Sequence, residues 1–210
     1  MKSDDDHRFF YYFVILYIMT QSEELLQLHQ YYHDICECKL KETATRPVFG
    51  NGNPDSKIVF IGEAPGKKED ETGTPFVGAA GKFLAEMLAS IGMKREDIYI
   101  TNIVKYRPPD NRDPEPQEKK DCADWLKAEL EFINPKLIVF LGRHSMNHFF
   151  PDLKVSEAHG KFMHAELPNF PIHNFLPLYH PAAALYNGGL RTELLKDFAK
   201  ITGILKKIGK

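Results

Sequence analysis

Twice this chain runs a short, unbroken apolar stretch straight into a glycine, at Lys57-Ile-Val-Phe-Ile61-Gly62 and at Leu137-Ile-Val-Phe-Leu141-Gly142. An apolar run of about five residues without polar alternation suits a strand buried on both faces, and such strands belong to parallel sheets covered by helices. The segments between agree. Phe83, Leu84, Met87, Leu88 and Ile91 recur at helical spacing over residues 82–91, and Gly92 closes that helix. Further strands are expected over 98–104 and 175–178, and further helices over 117–133 and 190–206. An opening helix is expected after Met19, with Ser22 as its cap, Glu23 and Glu24 in its first turn, and Leu25, Leu26 and Leu28 as its apolar positions. Strands alternating with helices predict an α/β sandwich whose sheet is mostly parallel and whose ligands gather at the carboxyl ends of the strands.

At 210 residues the chain suits one domain, and 43% hydrophobic with 27% charged residues excludes disorder as the main state. A net charge of −2 gives no overall attraction to a polyanion, so binding to nucleic acid would rest on a local basic face. The three cysteines, Cys36, Cys38 and Cys122, are too few for a secreted disulfide framework, which points to a reducing compartment and the cytoplasm. The apolar run from Phe9 to Met19 is shorter than the roughly 20 residues of a spanning helix. It follows Asp4, Asp5 and Asp6 where a secretory leader would be basic. Residues 1–18 are therefore expected to form an extension outside a single domain over 19–210, with no membrane contact.

Three loops could carry chemistry, each following a strand. The first is Gly62-Glu-Ala-Pro-Gly66, continued by Lys67-Lys-Glu-Asp70 and Gly73-Thr-Pro-Phe-Val-Gly78. Its glycines permit close approach of a ligand, but the spacing is neither a P-loop nor a GxGxxG fingerprint, and a tight turn with solvated acids accounts for it equally well. Glu63 stands at the mouth of the strand, where a carboxylate can meet both water and substrate. The second loop is Thr101-Asn-Ile-Val-Lys105 running into Arg107-Pro-Pro-Asp-Asn-Arg112. Asn102 offers a donor and an acceptor suited to reading a pyrimidine edge, or to capping its own loop. Lys105, Arg107 and Arg112 suit phosphates, or form a solvated face. The third is Tyr179-His-Pro-Ala-Ala-Ala-Leu185, in which His180 can donate to an oxygen that gains negative charge.

Taken together, Gly62-Glu-Ala-Pro-Gly with Glu69-Asp70, Pro75-Phe-Val-Gly-x-Ala-Gly81, Thr101-Asn-x-Val-Lys, Arg107-Pro-Pro-x-Asn-Arg112 and His180-Pro-Ala-Ala closely resemble the family 4 uracil-DNA glycosylases, in family order, from about Leu25 onward. The resemblance implies a three-layer α/β/α sandwich around a central four-stranded sheet. It implies a monofunctional hydrolase that flips uracil out of DNA and cuts its N-glycosidic bond. It makes Glu63 and His180 catalytic, places Gly62, Ala64, Gly66, Glu69, Phe76 and Asn102 around the base, and gives Lys105, Arg107, Arg112 and Arg191 to the phosphates. Phe76 would stack on the uracil, Asn102 would read N3 and O4, and Glu69 would stand near C5 to exclude thymine. A monomer is the expected state. A catalytically degenerate DNA- or base-binding module of the same fold, or a glycosylase for another deaminated base, are the rival readings.

The chain departs from that family at the cysteines. Many members of that family hold a [4Fe–4S] cluster on four thiolates. Here only Cys38 and Cys122 match; Ile35 takes the first ligand position with Cys36 one residue out of step, and Tyr106 takes the third. No cluster is expected, with apolar packing of Ile35 and Tyr106 in its place, against a minority set that recruits Cys36 and His33. A related family forms a covalent adduct through a histidine in an arginine-rich loop. The loop Lys154-Val-Ser-Glu-Ala-His-Gly160 lacks those arginines, so His159 is expected to be a loop residue.

Overall fold

The computed structural model describes residues 20–168 and 170–209. The expected extension over 1–18, and Met19 with it, lies outside the described residues. The first helix, α1 (Gln21–Ile35), is capped by Thr20 and not by Ser22: the Thr20 side chain accepts from Glu23 N while Glu23 Oε2 accepts from Thr20 N. That reciprocal pair is the Thr-x-x-Glu capping box, two residues earlier than expected.

Among the described residues the sheet holds six strands in the order β1-β3-β2-β4-β6-β5. Its centre is the four-stranded parallel array formed by β2 (Ile58–Gly62), β3 (Tyr99–Asn102), β4 (Leu137–Leu141) and β6 (Asn174–Leu178). Two-residue antiparallel strands, β1 (Asn51–Gly52) and β5 (Met163–His164), extend the edges beyond the expected four. The α/β/α class stands, with the added edges as the difference.

The pleat explains why the central runs are apolar throughout. Val59 and Ile61 of β2, Tyr99 of β3, Ile138 and Phe140 of β4 and Phe175 of β6 face one core. That core is covered by α1, by α5 (Ala123–Ile133) through Trp125, Leu126 and Leu130, and by Met146 of α6 (Arg143–Phe149). Ile58 and Phe60, Ile100, Leu137, Val139 and Leu141, and Leu176 and Leu178 face the other core. There α3 (Ala79–Ser90) supplies Phe83, Leu84, Met87 and Leu88, while α9 (Gly188–Phe198) and α10 (Lys200–Ile208) supply Leu194, Phe198 and Ile201. Alternating side chains thus serve two helical layers, which is why neither face of these strands is polar.

Two expected helices are each divided. The segment over 117–133 becomes α4 (Pro116–Asp121) and α5, separated at Cys122. The terminal one becomes α9 and α10, which meet at Ala199. A short helix, α2 (Lys67–Thr72), stands where a turn with solvated acids was the bland expectation. Asp70 within it is buried and accepts from Thr45 N and Thr45 Oγ1 at 2.9 and 2.7 Å. Two further single turns are α7 (Val155–Ala158) and α8 (Ala183–Tyr186).

Candidate active site

The four parallel strands point their carboxyl ends the same way, and each delivers a polar residue to one mouth: Glu63 after β2, Asn102 at the end of β3, the Gly142-Arg-His turn after β4, and His180 after β6. A cavity of 340 Å³ opens there, lined by Glu63, Ala64, Gly66, Glu69, Phe76, Asn102, Arg112, Asp113 and His180 among others. The residues expected around a flat base therefore meet in one place, with Gly62 just behind. A Cβ at Gly62 would come within 2.3 Å of Asn102 Oδ1 and 2.6 Å of Phe76 Cζ, so only glycine leaves room for both.

Asn102 is buried, and its Oδ1 has no hydrogen-bond partner among the described residues. Buried polar atoms are rarely left so, and an acceptor aimed into a cavity is a request for an N–H. Phe76 walls the same cavity from a left-handed backbone, φ 55°, which is uncommon for a bulky side chain. Four hydrogen bonds hold its loop there. Arg95 donates to the Phe76 carbonyl at 3.1 Å and to that of Pro75, and Glu69 Oε1 accepts from Val77 N at 2.9 Å and Gly78 N at 2.8 Å. Gly81 lies so close that a Cβ would stand 1.8 Å from Phe76 O. Strain concentrated on a pocket ring is the pattern of a preorganised ligand clamp.

His180 Nδ1 accepts from Ala182 N at 3.1 Å, so the neutral ring carries its proton on Nε2. Burial, reinforced by His144 and opposed by Glu69, drives its pKa down to about 4, so the ring is a neutral donor near pH 7. Phe76 and His180 rings lie 5.8 Å apart. Glu63 moves the other way. Burial and then the charge of Asp113 raise its pKa to about 7, against Lys119 and Arg143. Its Oε1 is buried without a hydrogen bond among the described residues.

The expected phosphate contacts fare differently. Lys105 has no exposed surface: its Nζ lies 2.6 Å from Glu129 Oε2 and 3.1 Å from Asn102 O, so it braces the strand end from within and is withdrawn as a phosphate contact. Arg112 makes a bidentate pair with Glu118, Arg191 pairs with Glu86 and lies over the Phe83 ring at 4.2 Å, and Arg107 Nε bonds Asn111 Oδ1 at 2.8 Å. His159 is held by Asp197 at 2.7 Å in the loop between α7 and β5, away from the cavity lining.

Sequence reasoning passed over Asp113 and His144. His144 Nε2 is 3.1 Å from Asp113 Oδ2 and its Nδ1 is 3.6 Å from Glu63 Oε1. These donor atoms lie within 4.8 Å of one another, but the guanidinium of Arg143 already bonds both His144 and Asp113, so we read a hydrogen-bonded cluster and not a cation site. The only available signal was position, since His144 follows β4 as Glu63 follows β2.

The cysteines also depart from expectation. Cys36 is brought in with the others: its Sγ lies 3.8 Å from Asp121 O, Cys38 Sγ lies 3.8 Å from Glu118 O, and the Cys122 thiol meets both thiols. Ile35 is 52% exposed, so it does not pack in the vacated ligand position. Tyr106 is buried, with its hydroxyl 2.8 Å from His33 Nδ1. Three thiols and a phenol engaged with a histidine do not match the four thiolates of a [4Fe–4S] cluster.

The family model described as Uracil DNA glycosylase superfamily matches residues 49–203. A type-4 uracil-DNA glycosylase from Archaeoglobus fulgidus is 50% identical over 170 residues, which cover 79% of this chain and 85% of that protein. One from Thermotoga maritima is 41% identical over 194 residues, 91% of this chain and 100% of its own length. A type-5 uracil-DNA glycosylase from Thermus thermophilus is more distant, 28% identical over 182 residues, 76% of this chain and 82% of that protein. With its motifs, its fold and the residues at its strand ends, the chain belongs to the uracil-DNA glycosylase superfamily and, within it, to the type-4 enzymes.

Proposed function

We propose that the chain is a monofunctional uracil-DNA glycosylase that takes uracil out of the DNA stack and hydrolyses its N-glycosidic bond, leaving an abasic site. The observation that carries the reading is the buried, unpartnered Asn102 Oδ1 in a cavity shared with the Phe76 ring, the His180 donor and the Glu63 carboxyl. An acceptor for N3–H beside an amide donor for O4 matches uracil. Cytosine presents no N3 proton and an amino group in place of O4, so polar groups on both sides would be left unpaired. The base must leave the duplex to reach this cavity.

Bond breaking leaves positive charge on the sugar and negative charge on the uracil, chiefly at O2. The neutral Nε2–H of His180 is suited to O2, and a donor fixed before the reaction needs no reorganisation as charge develops. Glu63, with its pKa near 7, is poised to orient and deprotonate water and to offset the sugar's positive charge. Glu69 contributes on two counts: it braces the Phe76 loop, and its place on the cavity wall makes it the group that meets a 5-methyl. Arg107 and Arg112 line the approach for phosphates, and Arg191 reaches them by releasing Glu86. The enzyme acts as a monomer in one domain over residues 19–210, in the cytoplasm.

The test is incubation with a labelled oligonucleotide containing one uracil, followed by hot alkali. Cleavage by the native protein is expected, with Glu63→Gln and His180→Ala each slowed about a hundredfold or more in single turnover. A folded protein that binds the oligonucleotide and leaves it intact would reduce the chain to a base-binding module.

A further inference from the structure

At the mouth of the cavity, Glu63 Oε1 has no hydrogen-bond partner among the described residues, and His144 Nδ1 stands 3.6 Å from it. Whether Nδ1 carries a proton is decided at the other side of the ring. Arg143 Nε lies 2.9 Å from His144 Nε2, and a guanidinium N–H can only donate. Nε2 must therefore accept, which puts the proton of the neutral ring on Nδ1, facing Glu63. Asp113 Oδ2 also approaches Nε2, at 3.1 Å, and would favour the opposite tautomer, but Arg143 Nη2 satisfies that oxygen at 3.3 Å. Burial keeps His144 neutral by lowering its pKa, so near neutral pH the ring carries its one proton on Nδ1.

We propose that His144 is the positioning residue for Glu63: its Nδ1–H closes on Oε1 when the cavity fills, which turns Oε2 toward the attacking water. The inference rests on the reading of Glu63 as the group that handles water. The gap is longer than a hydrogen bond, and contacts of this kind tighten once substrate excludes solvent. The arrangement divides the carboxylate's two oxygens between two tasks, one anchored and one free. A donor on Oε1 also favours the ionised form against the burial that opposes it.

Charged and titratable groups facing this pair are Asp113, Lys119 and Arg143 toward Glu63, and the same three with His180 toward His144. A pH profile therefore separates a positioning role from bulk packing. In single-turnover uracil excision, His144→Phe keeps the ring's volume and removes the donor. The acid limb is expected to move up by about one pH unit, with the rate at pH 7 down about fivefold, the difference narrowing toward pH 9 and KM little changed. His144→Gln, which retains an N–H, should recover most of the loss. Arg143→Lys keeps the charge and loses the Nε–H that sets the tautomer, so a smaller shift in the same direction is expected there, whether or not the His144 variants fold.

Profiles of folded His144→Phe and Arg143→Lys that superimpose on the native one would overturn the inference, as would a uniform loss at every pH. Removal of activity by EDTA with recovery on adding a divalent cation would also overturn it, because a metal would occupy the same atoms. Glu63→Gln serves as the separate control: native-level activity in that variant defeats the underlying reading of Glu63 itself, whatever His144 does.

Discussion

In the proposed role of handling water, Glu63 meets two opposed demands. A group that accepts a proton near neutrality has to resist ionising too early, and burial beside Asp113 raises its pKa to about 7 from an ordinary 4.5. Linkage makes that a stability cost. Because the folded-state pKa lies above the unfolded one, the favourable contribution of the neutral carboxyl is fully present below about pH 4.5 and is lost as pH rises through 7. Glu63→Gln removes the titration. After a discount for the solvent that still reaches this side chain, the effect is about 1 kcal/mol, equal to a melting-temperature gain of roughly 2–4 °C at this size. The variant should therefore melt with the native protein at pH 5 and above it at pH 8, as scanning calorimetry at both values would record. A gap of the same size at both pH values would place the effect elsewhere than in ionisation. Stability given up for function at one residue is the ordinary cost of a working site.

At the scale of elements, β3, α1 and α5 are joined by a buried polar chain. Trp125 Nε1–H donates to His29 Nδ1, the neutral His29 ring then donates from Nε2 to Tyr99 OH, and Tyr99 donates to Glu129 Oε1. Thr101 Oγ1 and Lys105 Nζ both meet Glu129 Oε2, and Lys105 also holds Asn102 O. The pair Lys105 and Glu129 has no exposed surface, so removing one partner strands the other's charge in a dry interior. Lys105→Met should lower stability by about 3–5 kcal/mol, and adding Glu129→Leu should restore part of it. Urea titration of both variants measures this. A single variant as stable as the native protein would mean that the interior admits water. The same network shows why parts of the fold were illegible in sequence. The runs at β2 and β4 declare themselves because two cores demand apolar residues on both faces. Lys105 carries no such mark: lysine is almost always exposed, and the carboxylate that pairs with it stands on the distant helix α5. The edges β1 and β5 are too short for any pattern, and α2 looked like a solvated turn because the partner of Asp70 is the distant Thr45.

For the molecule as a whole, the cavity lining was legible at Glu63, Asn102 and His180, which follow strands, and at Phe76 in the glycine-rich loop beyond the first of them. It was illegible where the role comes from neighbours. His144 gains its interest only from Arg143 behind it and Glu63 before it, and the cysteines gain theirs from the packing that draws Cys36 toward Cys122. The face that meets DNA depends on neighbours in the same way. A net charge of −2 supplies no general attraction, and the arginines around the mouth are largely committed: Arg112 to Glu118, Arg143 to Asp113, Arg191 to Glu86. Arg107 is different, since its Nε partner is the neutral Asn111. Affinity for undamaged duplex should then fall gently with salt. A double-logarithmic slope no steeper than about −4 is expected, since each neutralised phosphate contributes about −0.9. Arg107→Ala should flatten the slope by about one, and Arg191→Ala by less, because Arg191 must first give up Glu86. Fluorescence anisotropy across a salt series reads both. A slope of about −6 or steeper would mean that the paired arginines trade their carboxylates for phosphates on contact, and that the ion pairs at the mouth are a resting arrangement which DNA itself opens.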